Sequence, residues 1–190
     1  MRCIACQDIS IKIICKNCQN NLLKSSFYKR ELEKDFFVYS FYKFDEVKEL
    51  LNTKYEFYGD KVFNILASLS FQQFGQNFEF PNQIYAIAID DHTRHQFSQT
   101  AILTKHLKSK IIKPIYNKLK ATNIVKYAGK DLKFREQNRR DFIYTGKKDI
   151  QVILVDDLVT TGTTVLEAKK ILENNGCEVL FALTISDASI

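Results

Sequence analysis

Residues 152–164 read Val-Ile-Leu-Val-Asp-Asp-Leu-Val-Thr-Thr-Gly-Thr-Thr. An apolar run at 152–155 leads into two adjacent carboxylates, and a short turn rich in hydroxyl groups follows. Beyond the turn, apolar side chains recur at helical spacing between residues 165 and 172. The stretch therefore predicts a buried strand, a tight turn and an amphipathic helix, the repeating unit of an α/β domain.

The same stretch has the chemistry of a sugar-phosphate site. Asp156 and Asp157 can accept hydrogen bonds from two neighbouring sugar hydroxyls, which makes them the candidate catalytic pair. Backbone N–H groups at a helix N-terminus attract an anion, and a glycine lets the backbone approach it closely. The expected phosphate-binding residues are Val159, Thr160, Thr161, Gly162, Thr163 and Thr164. Phosphate on one side and a diol on the other describe a ribose 5-phosphate.

Two other interpretations of this stretch are weaker. An ordinary helix cap needs a single Ser, Thr or Asp, whereas this turn has four threonines behind two acids. A Walker P-loop requires a lysine directly after its last glycine, and here Thr163 follows Gly162.

Four cysteines near the N-terminus form two Cys-x-x-Cys pairs, Cys3 with Cys6 and Cys15 with Cys18. Two such pairs can complete a tetrahedral Zn²⁺ shell, and four sulfur ligands leave no open position for chemistry. The alternatives are disulfides, which need an oxidising compartment, or a redox dithiol, which usually occurs singly. The pattern favours a structural zinc site. Cys177, the fifth cysteine, is expected to be a buried thiol.

Length and composition indicate one sizeable core with a small module beside it. The chain has 190 residues, of which 45% are hydrophobic and 26% charged. We expect a zinc module at residues 1–30 and an α/β domain at residues 31–190. No apolar run approaches the ~20 residues that span a membrane, so no integral membrane segment is expected. The expected location is the cytoplasm, with contact at the inner face of the membrane left open.

Positive charge is concentrated in residues 105–140. Twelve basic side chains stand there against Asp131 and Glu136, a local charge of +10 in a chain whose total is +6. Such a block can hold a pyrophosphate or a nucleic-acid backbone. The third interpretation is a solvated lysine-rich surface.

Strands and helices are expected to alternate along the rest of the chain. Residues 60–74 predict one helix ended by Gly75, and residues 111–116 predict a strand broken by Pro114. Residues 117–140 are expected to form a loop with some helix. The predicted strands lie at 36–44, 83–89, 142–144, 150–155 and 178–184, and the other helices at 45–51, 97–107 and 163–174. The alternation implies a parallel sheet, with ligands bound at the carboxyl ends of its strands.

Residues 152–164 resemble the 5-phosphoribosyl-1-pyrophosphate (PRPP) motif of the type I phosphoribosyltransferases over thirteen consecutive positions. The layout of four N-terminal cysteines, a basic segment and a C-terminal PRPP motif resembles the ComF family of bacterial DNA-uptake (competence) proteins. Phe97, Gln99 and the pattern Arg135-x-x-Asn138 with Phe142 also match that family. The resemblance implies a type I phosphoribosyltransferase-like parallel sheet flanked by helices.

The resemblance also implies cofactors and partners. The implied cofactors are Mg²⁺, bound with PRPP, and structural zinc on the four cysteines. The implied macromolecular ligand is single-stranded DNA on the basic segment. Partnership with other competence proteins is left open. The loop after Ile89, with Asp90, Asp91, His92 and Arg94, would face the pyrophosphate. The expected function is a PRPP-binding protein of DNA uptake. The alternative is a phosphoribosyltransferase active in nucleotide metabolism or purine salvage.

Overall fold

A computed structural model describes residues 1–89, 97–123 and 140–190 of the chain. In this part of the chain none of the helices is long and apolar enough to cross a membrane. The strands are β1 (Tyr28–Glu33), β2 (Phe36–Lys43), β3 (Ile84–Ala88), β4 (Ile112–Ile115), β5 (Leu119–Ala121), β6 (Phe142–Tyr144), β7 (Gln151–Val159) and β8 (Glu178–Asp187). The helices are α1 (Lys16–Leu22), α2 (Phe44–Asn52), α3 (Gly59–Leu69), α4 (Phe71–Asn77), α5 (Gln99–His106) and α6 (Thr163–Asn174), with a 3₁₀ turn at Thr53–Tyr55.

The central sheet has six strands in the order β1-β2-β8-β7-β3-β4. β1 runs antiparallel to β2, and every other neighbouring pair in this sheet is parallel. Helices cover both faces, so the prediction of an α/β, phosphoribosyltransferase-like sheet flanked by helices is confirmed. β7 lies in the interior of the sheet, between β8 and β3.

Alternate residues of β7 pack into two separate hydrophobic clusters. Ile153 and Val155 belong to the cluster that contains buried residues of α3 and α5. Val152 and Leu154 belong to the cluster that contains the apolar face of α6. A strand buried on both faces reads as a continuous apolar run, which is why residues 152–155 show no polar alternation.

The segment predicted as one helix over residues 60–74 forms two helices. Ser70 separates α3 from α4 with φ −129° and ψ −77°, and its Oγ donates to the Leu66 carbonyl at 2.7 Å. Gly75 does not end the helix as predicted, because it lies inside α4. A Cβ at this position would stand 2.6 Å from the Leu107 carbonyl oxygen, so the glycine allows α4 to pack closely on that backbone.

Two predictions for the following segment were also wrong. Pro114 does not break its strand, since it pairs with Ala86 inside β4. β4 is at the edge of the sheet, where the missing proline N–H is tolerated. The predicted loop at 117–140 contains β5, which pairs with β6 in a two-stranded sheet of its own. Residues 124–139 of that predicted loop lie outside the described residues.

The N-terminal cysteines pack against the main core. Cys3 and Cys18 belong to the same hydrophobic cluster as Phe41 and Phe63. β1 begins at Tyr28 and is already part of the central sheet. The division into units at residues 1–30 and 31–190 stays a prediction.

Candidate functional site

The two adjacent acids lie within β7, near its carboxyl end. Asp156 is aligned with Thr184 of β8, and pairing continues to Val159 opposite Asp187. β7 therefore ends four residues beyond the strand predicted at 150–155, because β8 supplies a partner as far as Asp187. Val159 is buried, and its carbonyl accepts from the Ala188 N–H at 2.8 Å. Of the predicted phosphate-binding residues, Val159 thus anchors the end of the strand.

Asp157 is held by a lysine from a distant part of the chain. The residue is 6% exposed, and Lys54 Nζ donates to its Oδ2 at 3.0 Å. Lys54 belongs to the 3₁₀ turn after α2, and the negative charge of Asp157 raises the pKa of the lysine. The ion pair holds the Asp157 carboxylate in place. No sequence motif marks Lys54, which is 103 residues from its partner.

Asp156 occupies a different electrostatic environment. Burial and the charge of Asp157 raise the pKa of Asp156 well above its ordinary value of 3.8, and Arg140 opposes that rise. The Asp156 Oδ1 accepts from the Asp157 N–H at 2.8 Å. The two acids are thus unequal: Asp157 is paired with a cation, whereas ionisation of Asp156 is disfavoured.

This inequality predicts a pH-dependent gain in stability from Asp156→Asn. A raised folded-state pKa means that the folded protein binds the proton more tightly, so stability falls as pH rises from about 4 through the folded-state pKa. At neutral pH we expect Asp156→Asn to raise the melting temperature by about 2–4 °C for each kcal/mol gained. The gain should disappear near pH 4 in thermal unfolding measured by circular dichroism.

The matched variant is Asp157→Asn, which removes the charge that Lys54 pairs with. We expect it to lower the melting temperature at neutral pH, because it leaves a half-buried ammonium without its carboxylate. Equal effects of the two substitutions at neutral pH would contradict the assignment of unequal environments.

The turn after β7 has the geometry of an anion site. Gly162 precedes α6 with φ +85°, a backbone conformation that L side chains rarely adopt. Thr161 Oγ1 and Thr163 Oγ1 are 2.9 Å apart, and Thr163 and Thr164 begin the helix. The first N–H groups of an α-helix have no acceptor within the helix and can bind an anion. In α6 the Thr163 N–H donates to Thr161 Oγ1 at 3.4 Å, a long hydrogen bond within the turn itself. The structure thus brings the acids and the hydroxyl-rich turn together at the carboxyl end of β7.

A second residue that sequence reasoning missed is Arg30 of β1. Its Nη2 donates to the Thr160 carbonyl at 2.8 Å, across 130 residues of chain. Neither Arg30 nor Lys54 could have been found from spacing, since both reach the site from other elements. The predicted pyrophosphate-binding residues Asp90, Asp91, His92 and Arg94 lie outside the described residues.

The four N-terminal cysteines converge on one point. Their sulfur atoms all lie within 4.8 Å of one another, and the Cys6 and Cys15 sulfurs are 3.7 Å apart. A tetrahedral zinc with Zn–S bonds of about 2.3 Å requires sulfurs about 3.8 Å apart. None of these cysteines is in a disulfide. The group can therefore hold a metal ion, and its geometry and ligand type fit zinc.

Backbone donors favour the thiolate form of Cys3. Burial raises the pKa of Cys3, but N–H groups of Cys15, Cys6 and Ala5 outweigh it and lower that pKa to about 6. Contact with Cys15, together with burial, raises the pKa of Cys18. Sulfurs this close cannot all ionise unless a cation lies among them, which is what a structural metal provides.

Comparison with known proteins agrees with the motif. Residues 102–189 match the family model of the phosphoribosyl transferase domain, a little under half of the chain. The chain carries a phosphoribosyltransferase-type domain. No curated protein matches the chain in sequence. The structure of Leishmania donovani UMP synthase aligns with a TM-score of 0.41 and 14% identity, over 90% of this chain but only 30% of that one. At that score the likeness adds nothing to the assignment.

Proposed function

We propose that this chain is a PRPP-binding, phosphoribosyltransferase-like protein that acts in DNA uptake. The observation that carries the PRPP-binding part of the proposal is the acid pair on β7 beside a threonine-rich turn. Gly162 of this turn has a left-handed backbone conformation at the N-terminus of α6. That combination offers acceptors for a diol and donors for a phosphate within one strand–turn–helix unit. The matching phosphoribosyl transferase domain supports it.

In this proposal the protein's own groups divide the ligand between them. The N–H groups and hydroxyls from Thr160 to Thr164 hold the 5-phosphate, and Asp156 and Asp157 accept from the ribose hydroxyls. Lys54 holds the Asp157 carboxylate in place. Mg²⁺, which prefers oxygen ligands, would be held near these carboxylates and would neutralise the pyrophosphate of PRPP.

Binding and turnover are separable by experiment. The protein is titrated with PRPP and Mg²⁺ by calorimetry, and pyrophosphate release is then screened against nucleobases and other acceptors. Saturable binding supports the proposal, and the absence of binding contradicts it. Release with an acceptor would favour the second candidate, an active phosphoribosyltransferase of nucleotide metabolism or purine salvage. The second candidate is supported by the acid pair Asp156 and Asp157, which is intact in the sequence.

The DNA-uptake part rests on the ComF resemblance and on the basic segment at 105–140. Among the described residues of that segment, five lysines are exposed from the end of α5 through β4 to the loop before β5: Lys105, Lys108, Lys110, Lys113 and Lys118. Charges in this density attract a phosphate backbone without reading bases. Tyr116 is 39% exposed in the same stretch and offers a ring for base stacking. We infer single-stranded DNA as the ligand and the cytoplasmic face of the membrane as the place of action, where competence proteins would be partners.

Reversing Lys108, Lys110 and Lys113 to glutamate is expected to weaken binding of single-stranded DNA alike for every sequence. Loss of three phosphate contacts should reduce the slope of log affinity against log salt by about 2. Fluorescence anisotropy with labelled oligonucleotides at several salt concentrations measures both effects. PRPP affinity should change little, because these lysines are outside the β7 turn.

The matched control reverses Lys16, Lys48 and Lys61, which are exposed on α1, α2 and α3. This variant has the same net charge as the variant reversed at Lys108, Lys110 and Lys113, but it leaves the basic segment intact. If both variants lose affinity equally, the effect is one of total charge. If neither does, the described lysines form a solvated surface and the DNA proposal loses its support.

A further inference from the structure

The threonine-rich turn at residues 160–164, called the phosphate turn below, is contacted by a residue of β1. Arg30 Nη2 donates to the Thr160 carbonyl at 2.8 Å, and its Nε lies 2.6 Å from Asp187 Oδ2. Asp187 ends β8 and is completely buried. The contact with Asp187 is a close ion pair without hydrogen-bond geometry, so Arg30 makes one hydrogen bond, to Thr160, and one charge contact, to Asp187. Arg30 therefore joins the edge of the sheet to the first residue of the turn.

Asp187 is itself fixed by the chain that follows it. Its Oδ1 accepts from the N–H and the hydroxyl of Ser189, at 2.9 and 2.7 Å. The intervening Ala188 N–H donates to the Val159 carbonyl at 2.8 Å. The acid that orients Arg30 is thus bonded into the end of β8, directly beside the end of β7.

Leu32 extends the same support to the glycine of the turn. Alternate residues of a strand share one face, so Arg30 and Leu32 lie on the same side of β1. A Cβ at Gly162 would stand 2.7 Å from Leu32 Cδ2. β1 therefore contacts the turn at two points, the Thr160 carbonyl and Gly162.

We propose that Arg30 is a positioning residue for the phosphate turn, which it holds through the Thr160 carbonyl while Asp187 fixes its own orientation. A bound phosphate is repelled by a carbonyl oxygen and attracted by N–H groups, so a turn that binds it must keep its carbonyls directed away. Occupying the Thr160 carbonyl with a guanidinium preorganises the turn for this purpose. This inference rests on the proposed PRPP function.

The test replaces the pair together, as Arg30→Met with Asp187→Asn. Arg30→Met alone would leave a buried carboxylate without its cation and could fail to fold, whereas replacing both partners avoids that cost. The matched control is Lys29→Met, on the next residue of β1, whose exposed ammonium lies 3.6 Å from the centre of the Phe37 ring. Lys29→Met removes a positive charge from the same strand but leaves the contacts of Arg30 intact, whereas the double variant loses those contacts without a change in net charge.

In calorimetry we expect the double variant to bind PRPP about tenfold more weakly, the loss typical of a hydrogen bond to a charged group. The affinity for ribose 5-phosphate should fall by the same factor, because the substitution alters the turn that is proposed to bind the phosphate. Amide hydrogens of residues 161–164 should exchange faster in the free protein. Lys29→Met should leave the affinities and these exchange rates unchanged. A purely structural role would lower the melting temperature without moving the affinity of the folded protein.

Two outcomes overturn the inference while the proposed function stands. In the first, the wild type binds PRPP and the folded double variant binds within twofold of it with unchanged exchange at 161–164. In the second, Lys29→Met weakens binding as much as the double variant, which would indicate that any change of a basic residue on β1 has this effect and that the Thr160 contact has no specific role. If the wild type binds neither PRPP nor ribose 5-phosphate, the proposed function fails and the inference falls with it.

Discussion

Replacing Asp156 and Asp157 together by alanine is expected to abolish measurable PRPP binding. Each carboxylate is proposed to accept a hydrogen bond from a ribose hydroxyl, and a hydrogen bond to a charged group contributes about 1.5–3 kcal/mol. Losing both should weaken binding by more than about a hundredfold. Calorimetric titration with PRPP and Mg²⁺ measures the loss directly.

The fold should survive this double substitution. The acids lie near the carboxyl end of β7, and Asp156→Ala removes a half-buried carboxyl whose pKa is raised by burial and by the charge of Asp157. The substitution at Asp157 leaves Lys54 without its partner, so thermal unfolding must be recorded alongside binding. Both measurements together separate a lost site from a lost structure.

A control with the same change in net charge is available on the surface. Glu49 and Glu79 are exposed, and neither belongs to the candidate site. Replacing both by alanine should leave PRPP affinity unchanged. If a folded variant without Asp156 and Asp157 binds PRPP as tightly as the wild type, the assignment of the site is wrong.

The second large effect concerns the cysteine cluster. Protein purified without chelator is expected to contain one equivalent of zinc, and Cys6→Ser should lose it. Cys6 is the exposed member of the cluster, so its replacement changes packing least and isolates the loss of metal. Zinc contributes about 10–16 kcal/mol to the folding of isolated zinc-finger peptides, so the N-terminal segment should unfold before the sheet.

Elemental analysis and hydrogen exchange measure these two consequences. Exchange should rise across residues 3–18 while the amides of β7 and β8 remain protected. Cys177→Ser is the control, because Cys177 is buried in the other hydrophobic cluster and should not affect zinc content. Wild-type protein with far less than one equivalent of metal and four freely titratable thiols would contradict the zinc assignment.

Local chemistry alone was enough to predict several parts of this protein. The helix expected at residues 163–174 has those bounds in the structure, because apolar spacing and a preceding glycine define it within one segment. The alternation of strands and helices predicted the parallel sheet. The four cysteines are brought together as their spacing indicated. Each of these features depends on side chains close together in sequence or on a repeating pattern.

What the sequence could not decide depends on contacts between distant segments. The length of β7 follows from its pairing with β8, and the tolerance of Pro114 follows from the position of β4 at the sheet edge. Lys54 reaches Asp157 across 103 residues, and Arg30 reaches Thr160 across 130. The sequence by itself determined which groups are proposed to bind the ligand, because the motif carries its own acids and donors. Only the tertiary structure decided which residues hold those groups in place, because strand order brings together side chains that no spacing relates.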